Sequence, residues 1–308
     1  MEPFIWTTVD GSTVSGLSSV PPATTGTPKL KPLVVGLHGG GYHSEYFNGD
    51  AKHTAANTSR SFGVPFIAID RPNYGKTSSL LPLPSGNSFT NATATRLHTQ
   101  ILPLLWTKVG IPHSCTCIVL LCHSLGVMAG VSTAARHAQD ESPEYPLGGV
   151  ICSGLGHRVH PEHKPGPVAD QDLTESITMP IEMKDQVMFQ PGTVDAAILA
   201  KSERLNQPMP MAEAAAMVRE FAPHWRELWA AHITAPVLFV LPELDKFFLP
   251  TKEHVEECMR AFTSSKRVEG GLVPGAPHCM ELSHWSSGWY ARCFGFAMEC
   301  AASFAVSQ

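Results

Sequence analysis

The sequence predicts an α/β fold: a mostly parallel central sheet flanked by helices on both faces, with a helical insertion over one edge. Three observations carry that prediction. Short apolar runs, each bounded by glycine or proline, recur along the chain as "PLVVGLHGGG", "VPFIAIDRP", "CTCIVLLCHS", "LGGVICSG" and "APVLFVLPELD". Runs that are apolar on both faces belong to parallel strands buried between two layers. Longer segments with helical spacing alternate with them, as crossover connections require. Finally, 308 residues with 43% apolar and 16% charged residues make a globular balance with enough chain to bury a substantial core.

The elements follow in order. "FIWTTVDG" and "TVSGLSSV" alternate and are joined through Asp10-Gly11, which predicts an opening hairpin. "PPATTGTPKLK" then reads as an exposed loop. "NATATRLHTQILPLLWTKVG" sets Leu97, Ile101, Leu104 and Leu105 on one helical face, with a kink expected at Pro103. "LGVMAGVSTAARHA", "TKEHVEECMRAFTSS" and the closing "SSGWYARCFGFAMECAASFA" are further helices. Strand-like runs vanish between about 157 and 232, where Met179, Met183, Met188, Met209, Met211 and Met217 gather with Phe189, Phe221, Trp225 and Trp229. That stretch is read as a helical lid over the carboxyl edge of the sheet, all within one domain spanning 1–308.

Composition also excludes partners. A net charge of −5 with no basic stripe argues against nucleic acid and anionic membranes. No segment approaches the roughly 18 to 20 continuous apolar residues of a membrane span, and "MEPFIWTTVDG" lacks the basic start of a signal peptide. The eight cysteines are scattered without CxxC pairs, the pattern of small buried hydrophobes in a reducing compartment. A cytoplasmic location is therefore expected. The oligomeric state is not readable.

The chemistry centres on "VLLCHSLGV". Its apolar strand ends on Ser124, which fits either a nucleophile or a serine that caps the following helix. Ligands on an open parallel sheet bind beyond the carboxyl ends of its strands, and Ser124 stands at such an end. The tight turn of a G-x-S-x-G elbow needs small neighbours; here Cys122 replaces the first glycine and Gly126 is the second. "LHGGGYH" ends an earlier strand with His38, Gly39, Gly40 and Gly41, whose bare amides can converge on an oxyanion. Neither G-x-G-x-x-G nor a P-loop lysine is present, so no nucleotide cofactor is expected. "LPELD" supplies an acid: Asp245 is preferred because the preceding turn returns it over the sheet, with Glu243 as the rival. His278, in the Gly/Pro-rich loop "GGLVPGAPHCMEL", is the candidate base, and His284 the alternative. "HRVHPEH" brings His157, His160 and His163 together beside Glu162, but Pro161, Pro165 and Pro167 oppose a regular ligand-bearing helix, so no metal is expected there.

With these pieces in order (HGGG at 38–41, "DRPNYGKTS" at 70–78, "CHSLG" at 122–126, "LPELD" at 241–245 and "GAPH" at 275–278) the chain resembles the α/β-hydrolase superfamily along nearly its whole length. In the 70–78 piece Asn73 stands where the family usually has glycine, and Thr77 where it has serine. The resemblance implies Ser124 as nucleophile, His278 as base and Asp245 as its orienter, with an oxyanion hole from the amides of Leu125 and of Gly40 and Gly41. Among hydrolases the chain is similar to fungal enzymes that tailor polyketide or polyketide–peptide products. That implies a hydrophobic small-molecule partner: an ester, thioester, lactone or activated ketone of a secondary metabolite. Tyr42, His123, Met183, Met188 and Trp225 are the candidate substrate contacts, His123 packing beneath the elbow rather than serving as base. Hydrolysis through an acyl-enzyme is the leading expectation. C–C cleavage or cyclisation through an enolate, and a non-catalytic binder on the same scaffold, are the alternatives.

Overall fold

A computed structural model describes every residue except 24, 25, 27, 164–168, 170–172 and 308. Pro165 and Pro167, and part of the loop after the hairpin, lie outside the described residues. Ten strands run in chain order as β1 (Glu2–Thr7), β2 (Thr13–Ser19), β3 (Leu33–Leu37), β4 (Phe66–Ile69), β5 (Ile118–His123), β6 (Leu147–Ser153), β7 (Ser176–Ile177), β8 (Met209–Pro210), β9 (Val237–Pro242) and β10 (Val268–Val273). Eight form one sheet in the order β1-β2-β4-β3-β5-β6-β9-β10. β1, β2 and β4 pair antiparallel, and every pairing from β4 through β10 is parallel.

The chain moves outward from β3 to β4, then crosses back to lay β5 on the other side of β3. The carboxyl ends of β3 and β5 are therefore neighbours, with Leu37 opposite Cys122 in register. Such a reversal of strand order is where a parallel sheet opens a crevice for ligands. The next neighbours extend the row: Cys122 faces Cys152 on β6, and Ser153 faces Val240 on β9.

Alternate residues of the central strands feed two cores, as the two-residue period of a strand requires. Leu33, Val35, Leu37, Ile118, Leu120 and Cys122 join one face, with the helices Phe89–Arg96, Leu125–Gln139 and Lys252–Arg260. Val34, Val119, Leu121, Ile151, Leu238 and Val240 join the other, under the helices Ala55–Phe62 and Ser286–Val306.

The opening hairpin closes through Asp10-Gly11, where Gly11 has φ of 82° and Asp10 Oδ1 accepts from the Ser12 amide and hydroxyl at 3.1 and 2.7 Å. At Pro103 the helix continues instead of breaking. Wider π-type turns over Leu97–Ile101 and Trp106–Gly110 flank the segment Leu102–Leu105 and re-space the backbone around the hydrogen bond that proline cannot donate. Leu97, Ile101 and Leu105 are buried as one face.

Between β6 and β9 the chain runs through the helices Ile181–Met188, Ala196–Leu199, Ser202–Leu205, Met211–Ala216 and Ala222–Leu228. A two-residue antiparallel ladder, β7 with β8, interrupts them where no strand is expected from the sequence. All eight cysteines are buried and free. Among the described residues, no helix is long and apolar enough to cross a membrane.

Candidate active site

Ser124 sits at the turn between β5 and the helix Leu125–Gln139 with φ 51° and ψ −128°. A non-glycine residue at positive φ is costly, and such strain gathers at functional sites. Its side chain makes no capping hydrogen bond to the helix it precedes, which removes the capping role as the reason for a serine here. The turn is pinned by the Ser124 N–H donating to Ser153 O at 2.8 Å, across to β6. Gly126 is obligatory in this geometry, because a Cβ there would overlap the carbonyl oxygen of Leu37. The Cys122 side chain is fully buried and points away from the turn, toward Gly130 on the helix.

The glycine loop after β3 packs directly on the elbow. A Cβ on Gly39 would lie 2.9 Å from the Ser124 Cβ, and one on Gly40 would lie 2.7 Å from the Leu125 side chain. The Leu125 N–H opens a helix, so it has no intrahelical acceptor and lies at the positive end of the helix dipole. Gly41 adopts φ 70°. Its carbonyl accepts from the Gln207 amide at 2.9 Å.

The candidate acid and base meet at the ends of β9 and β10. His278 Nδ1 is 2.7 Å from Asp245 Oδ2, both residues being buried. Asp245 Oδ1 accepts from the Phe247 and Phe248 amides at 2.7 and 3.0 Å, so the carboxylate is held from both sides. The turn expected over 242–245 is present, its Asp245 N–H donating to Pro242 O at 3.3 Å. Glu243 instead accepts from the Gly275 amide at 2.7 Å. His284 is 45% exposed and lies 3.9 Å from Asp195. Neither alternative joins the His278–Asp245 pair.

The expected substrate contacts divide. Met188 Sδ lies 3.5 Å from Cys279 Sγ, next to the base, and the Cys279 thiol lies 3.5 Å from the Tyr42 hydroxyl. Burial pushes that thiol up to about 12, so it stays protonated next to His278 in the chain. His123 is buried and stacks on Tyr46 at 4.8 Å between ring centres. Its ring also sits 4.8 Å from that of His278. Burial lowers its pKa, so it is a neutral floor beneath the site. Trp225 packs against Phe221, Phe239 and Phe262 in the core, and with Val127, Leu155 and Phe221 it also lines a small apolar cavity. Met183 is 56% exposed.

Three residues of the insertion reach this loop directly or through Arg71; Met209 belongs to the methionine cluster seen in the sequence, whereas Lys184 and Glu213 carry no signal there. Met209 carries its sulfur over Gly40, 2.6 Å from where a Cβ would stand. Lys184 donates to Gly41 O at 2.6 Å, to Leu205 O and Asn206 Oδ1 at 3.1 Å, and lies 3.6 Å above the Tyr42 ring. Burial draws its pKa down to about 8. Glu213 forms a fully buried ion pair with Arg71 and accepts from the Tyr74 hydroxyl. Arg71 in turn donates Nε–H to His38 O at 2.7 Å, and its N–H to His38 Nε2 at 3.1 Å.

The 70–78 turn accounts for its two departures. Asn73 takes the left-handed conformation, φ 73°, which asparagine tolerates better than other side chains, and Thr77 Oγ1 donates to Asp70 O at 2.7 Å.

A family model of α/β hydrolases matches residues 34–291 of this chain. The chain belongs to the α/β hydrolase family. As an α/β hydrolase it is similar in fold to a soluble variant of monoglyceride lipase from Saccharomyces cerevisiae in complex with a substrate analogue, with 16% identity, 96% of this chain and 94% of that one covered, and a TM-score of 0.69. A mutant of the N-acyl homoserine lactonase AidH complexed with N-hexanoyl homoserine lactone aligns at 14% identity, covering 97% of this chain and 98% of that one, with a TM-score of 0.61. DcsB in complex with its substrate analogue aligns at 17% identity, covering 98% and 99%, with a TM-score of 0.63. No curated protein sequence matches this α/β hydrolase.

Proposed function

We propose that this α/β hydrolase is a serine hydrolase that cleaves an ester, thioester or lactone of a bulky hydrophobic small molecule through an acyl-enzyme on Ser124. The observation that carries the proposal is the strained serine: its backbone is held at φ 51° while its hydroxyl does no capping work. A serine so placed, next in the chain to His123, whose ring lies 4.8 Å from that of His278, has with that histidine and the buried carboxylate on its other nitrogen the parts that activate a hydroxyl at neutral pH.

The reaction follows from those parts. His278 donates Nδ1–H to Asp245, which leaves Nε2 as the base. Ser124 Oγ gives its proton to Nε2 and attacks the carbonyl carbon. The oxyanion is met by the amides of Leu125 and of Gly40 and Gly41, each worth about 3 to 4 kcal/mol when well aimed; the Gly41 carbonyl, which accepts from Lys184, shapes the loop. His278 then hands its proton to the leaving oxygen or sulfur. Water repeats the sequence on the acyl-enzyme and releases the acid.

Met188, against Cys279, and Met209, over Gly40, are polarizable apolar side chains near the candidate residues and suit an apolar acyl or ring portion. The lactone and the glyceride lipid handled by the structural neighbours are substrates of this general kind, and a polyketide-type secondary metabolite fits the same description.

A fluorophosphonate should label the protein covalently, and Ser124→Ala should abolish labelling together with turnover of p-nitrophenyl esters. Absence of labelling in the unaltered protein would reject the nucleophile. Labelling with esters, thioesters and lactones all left intact would replace hydrolysis by C–C cleavage or cyclisation.

A further inference from the structure

At the root of the insertion two imidazoles and a thiol converge, apart from the His278–Asp245 pair. His254 and Cys258 lie four residues apart on the helix Lys252–Arg260, a spacing that puts them on one face. His157, in the segment that leaves β6, reaches over to meet them. His157 Nδ1 is 3.2 Å from His254 Nε2 and 3.4 Å from Cys258 Sγ, and the three atoms lie within 4.8 Å of one another. Tetrahedral Zn²⁺, with bonds of about 2.0 Å to nitrogen and 2.3 Å to sulfur, sets ligand atoms about 3.3 Å (N to N) and 3.6 Å (N to S) apart. The two observed separations fall near those edges, and the third, from His254 Nε2 to Cys258 Sγ, is within 4.8 Å.

We propose that His157, His254 and Cys258 form a binding site for a divalent transition metal of the Zn²⁺ type, with three protein ligands and a fourth position for water. The surroundings supply what ligating imidazoles need on their other nitrogen. His254 Nδ1 lies 2.7 Å from Leu249 O, so its proton is there and the Nε2 lone pair points into the cluster. His157 Nε2 lies 3.6 Å from Glu257 Oε2, a buried oxygen with no hydrogen-bond donor. Both histidines are kept neutral by burial, His157 down to about 4, as metal ligands must be.

Binding rearranges protons without redox chemistry. Cys258 loses its thiol proton to solvent as the metal–sulfur bond forms. With Arg226 donating to His157 Nε2 at 2.8 Å, the metal-free ring carries its proton on Nδ1. That proton moves to Nε2, facing Glu257, while Arg226, 42% exposed, turns to the same carboxylate 3.9 Å away. The Arg158 amide gives up its 3.2 Å contact with His254 Nε2. The bound metal thus ties His157, at the start of the insertion, to the helix Lys252–Arg260, while Arg226 near its end meets the same helix through Glu257. The three histidines of "HRVHPEH" do not act together: His163 packs on the Phe247 ring at 5.0 Å, and His160 Nδ1 accepts from the Glu162 amide at 3.2 Å.

Titrating the chelator-treated, full-length protein with Co²⁺ tests the site by absorbance. One equivalent should produce tetrahedral d–d bands and a thiolate-to-cobalt charge-transfer band, and Zn²⁺ should displace it. Cys258→Ser should remove the charge-transfer band. The half-buried His157→Ala, which disturbs packing least, should weaken Zn²⁺ binding at least tenfold; Glu257→Gln should weaken it about 10- to 100-fold. No charge-transfer band in the unaltered protein, or one that survives in both Cys258→Ser and His157→Ala, would overturn the proposal.

Discussion

At the carboxyl ends of the strands, backbone groups hold the candidate residues in place: Ser124 by Ser153 O, and Asp245 by the amides of Phe247 and Phe248. The insertion above them works differently. It grips the glycine loop with two buried charged side chains, Lys184 on Gly41 O and Glu213 on Arg71, across 143 and 142 residues of sequence. Backbone-held parts tolerate a change at their neighbours, whereas a buried charge depends wholly on its partner. The two regions should therefore fail in different ways, one losing chemistry with the fold intact and the other losing stability and loop order together.

The largest effects belong to the strand ends. His278→Ala and Asp245→Asn should each lower kcat for an ester substrate by about 10⁴-fold or more, with little change in thermal unfolding. Glu243→Gln should leave kcat within a few fold, since its carboxylate only receives the Gly275 amide. A loss in Glu243→Gln exceeding that in Asp245→Asn would transfer the orienting role to Glu243.

The next effect tests the insertion. Glu213→Gln strands the buried Arg71 guanidinium and should cost about 3 to 5 kcal/mol in urea unfolding, with a fall in kcat because Arg71 then holds His38 less firmly. A double replacement, Arg71→Met with Glu213→Met, should recover most of the stability and little of the activity. Equal instability of the single and double variants would show that packing, not charge, holds the insertion down.

Lys184 yields a pH test in which activity and stability separate. An unfolded lysine titrates at its ordinary value of 10.5, and burial brings the folded one to about 8. Below 8 the ammonium satisfies all three acceptors. Above it the amine has only two protons, so one tie is lost and kcat/KM should fall about 2- to 10-fold. Stability moves oppositely: between about 8 and 10.5 the unfolded chain binds the extra proton, so this group's contribution rises with pH. Lys184→Met should remove both the activity limb and the stability slope near that pH.

The comparison also explains what could be read in advance. The sheet, the elbow and the His278–Asp245 pair rest on local signals: apolar runs, a small-residue turn, a histidine and an acid beyond successive strands. The two departures also have local reasons: Asn73 takes a left-handed conformation that asparagine tolerates, and the Thr77 hydroxyl donates to Asp70 O. Lys184 and Glu213 gave no such signal. In sequence they look like any charged residue on a helix, and only packing turns them inward. Met183 shows the converse, since its neighbour Lys184 is buried while Met183 faces solvent. His157 could be noticed as one of a histidine cluster, but its partners arrive from 97 and 101 residues away.

The smallest expected effect concerns Cys122, the residue in place of the elbow's first glycine. Its sulfur occupies the space that a Cβ on Gly130 would claim, so the missing glycine of the strand is matched by one on the helix. Gly130→Ala alone should overpack the contact and cost about 1 to 3 kcal/mol. In a Cys122→Gly background the added methyl fits, and alanine's advantage in a helix interior should make the same change stabilising by up to about 1 kcal/mol. Ester turnover should be unaffected by Cys122→Gly, because the thiol faces the helix and not the carbonyl that Ser124 attacks. If Gly130→Ala has the same effect in both backgrounds, thiol and glycine are not a matched pair, and the cysteine must then influence the elbow through the backbone of Ser124 itself.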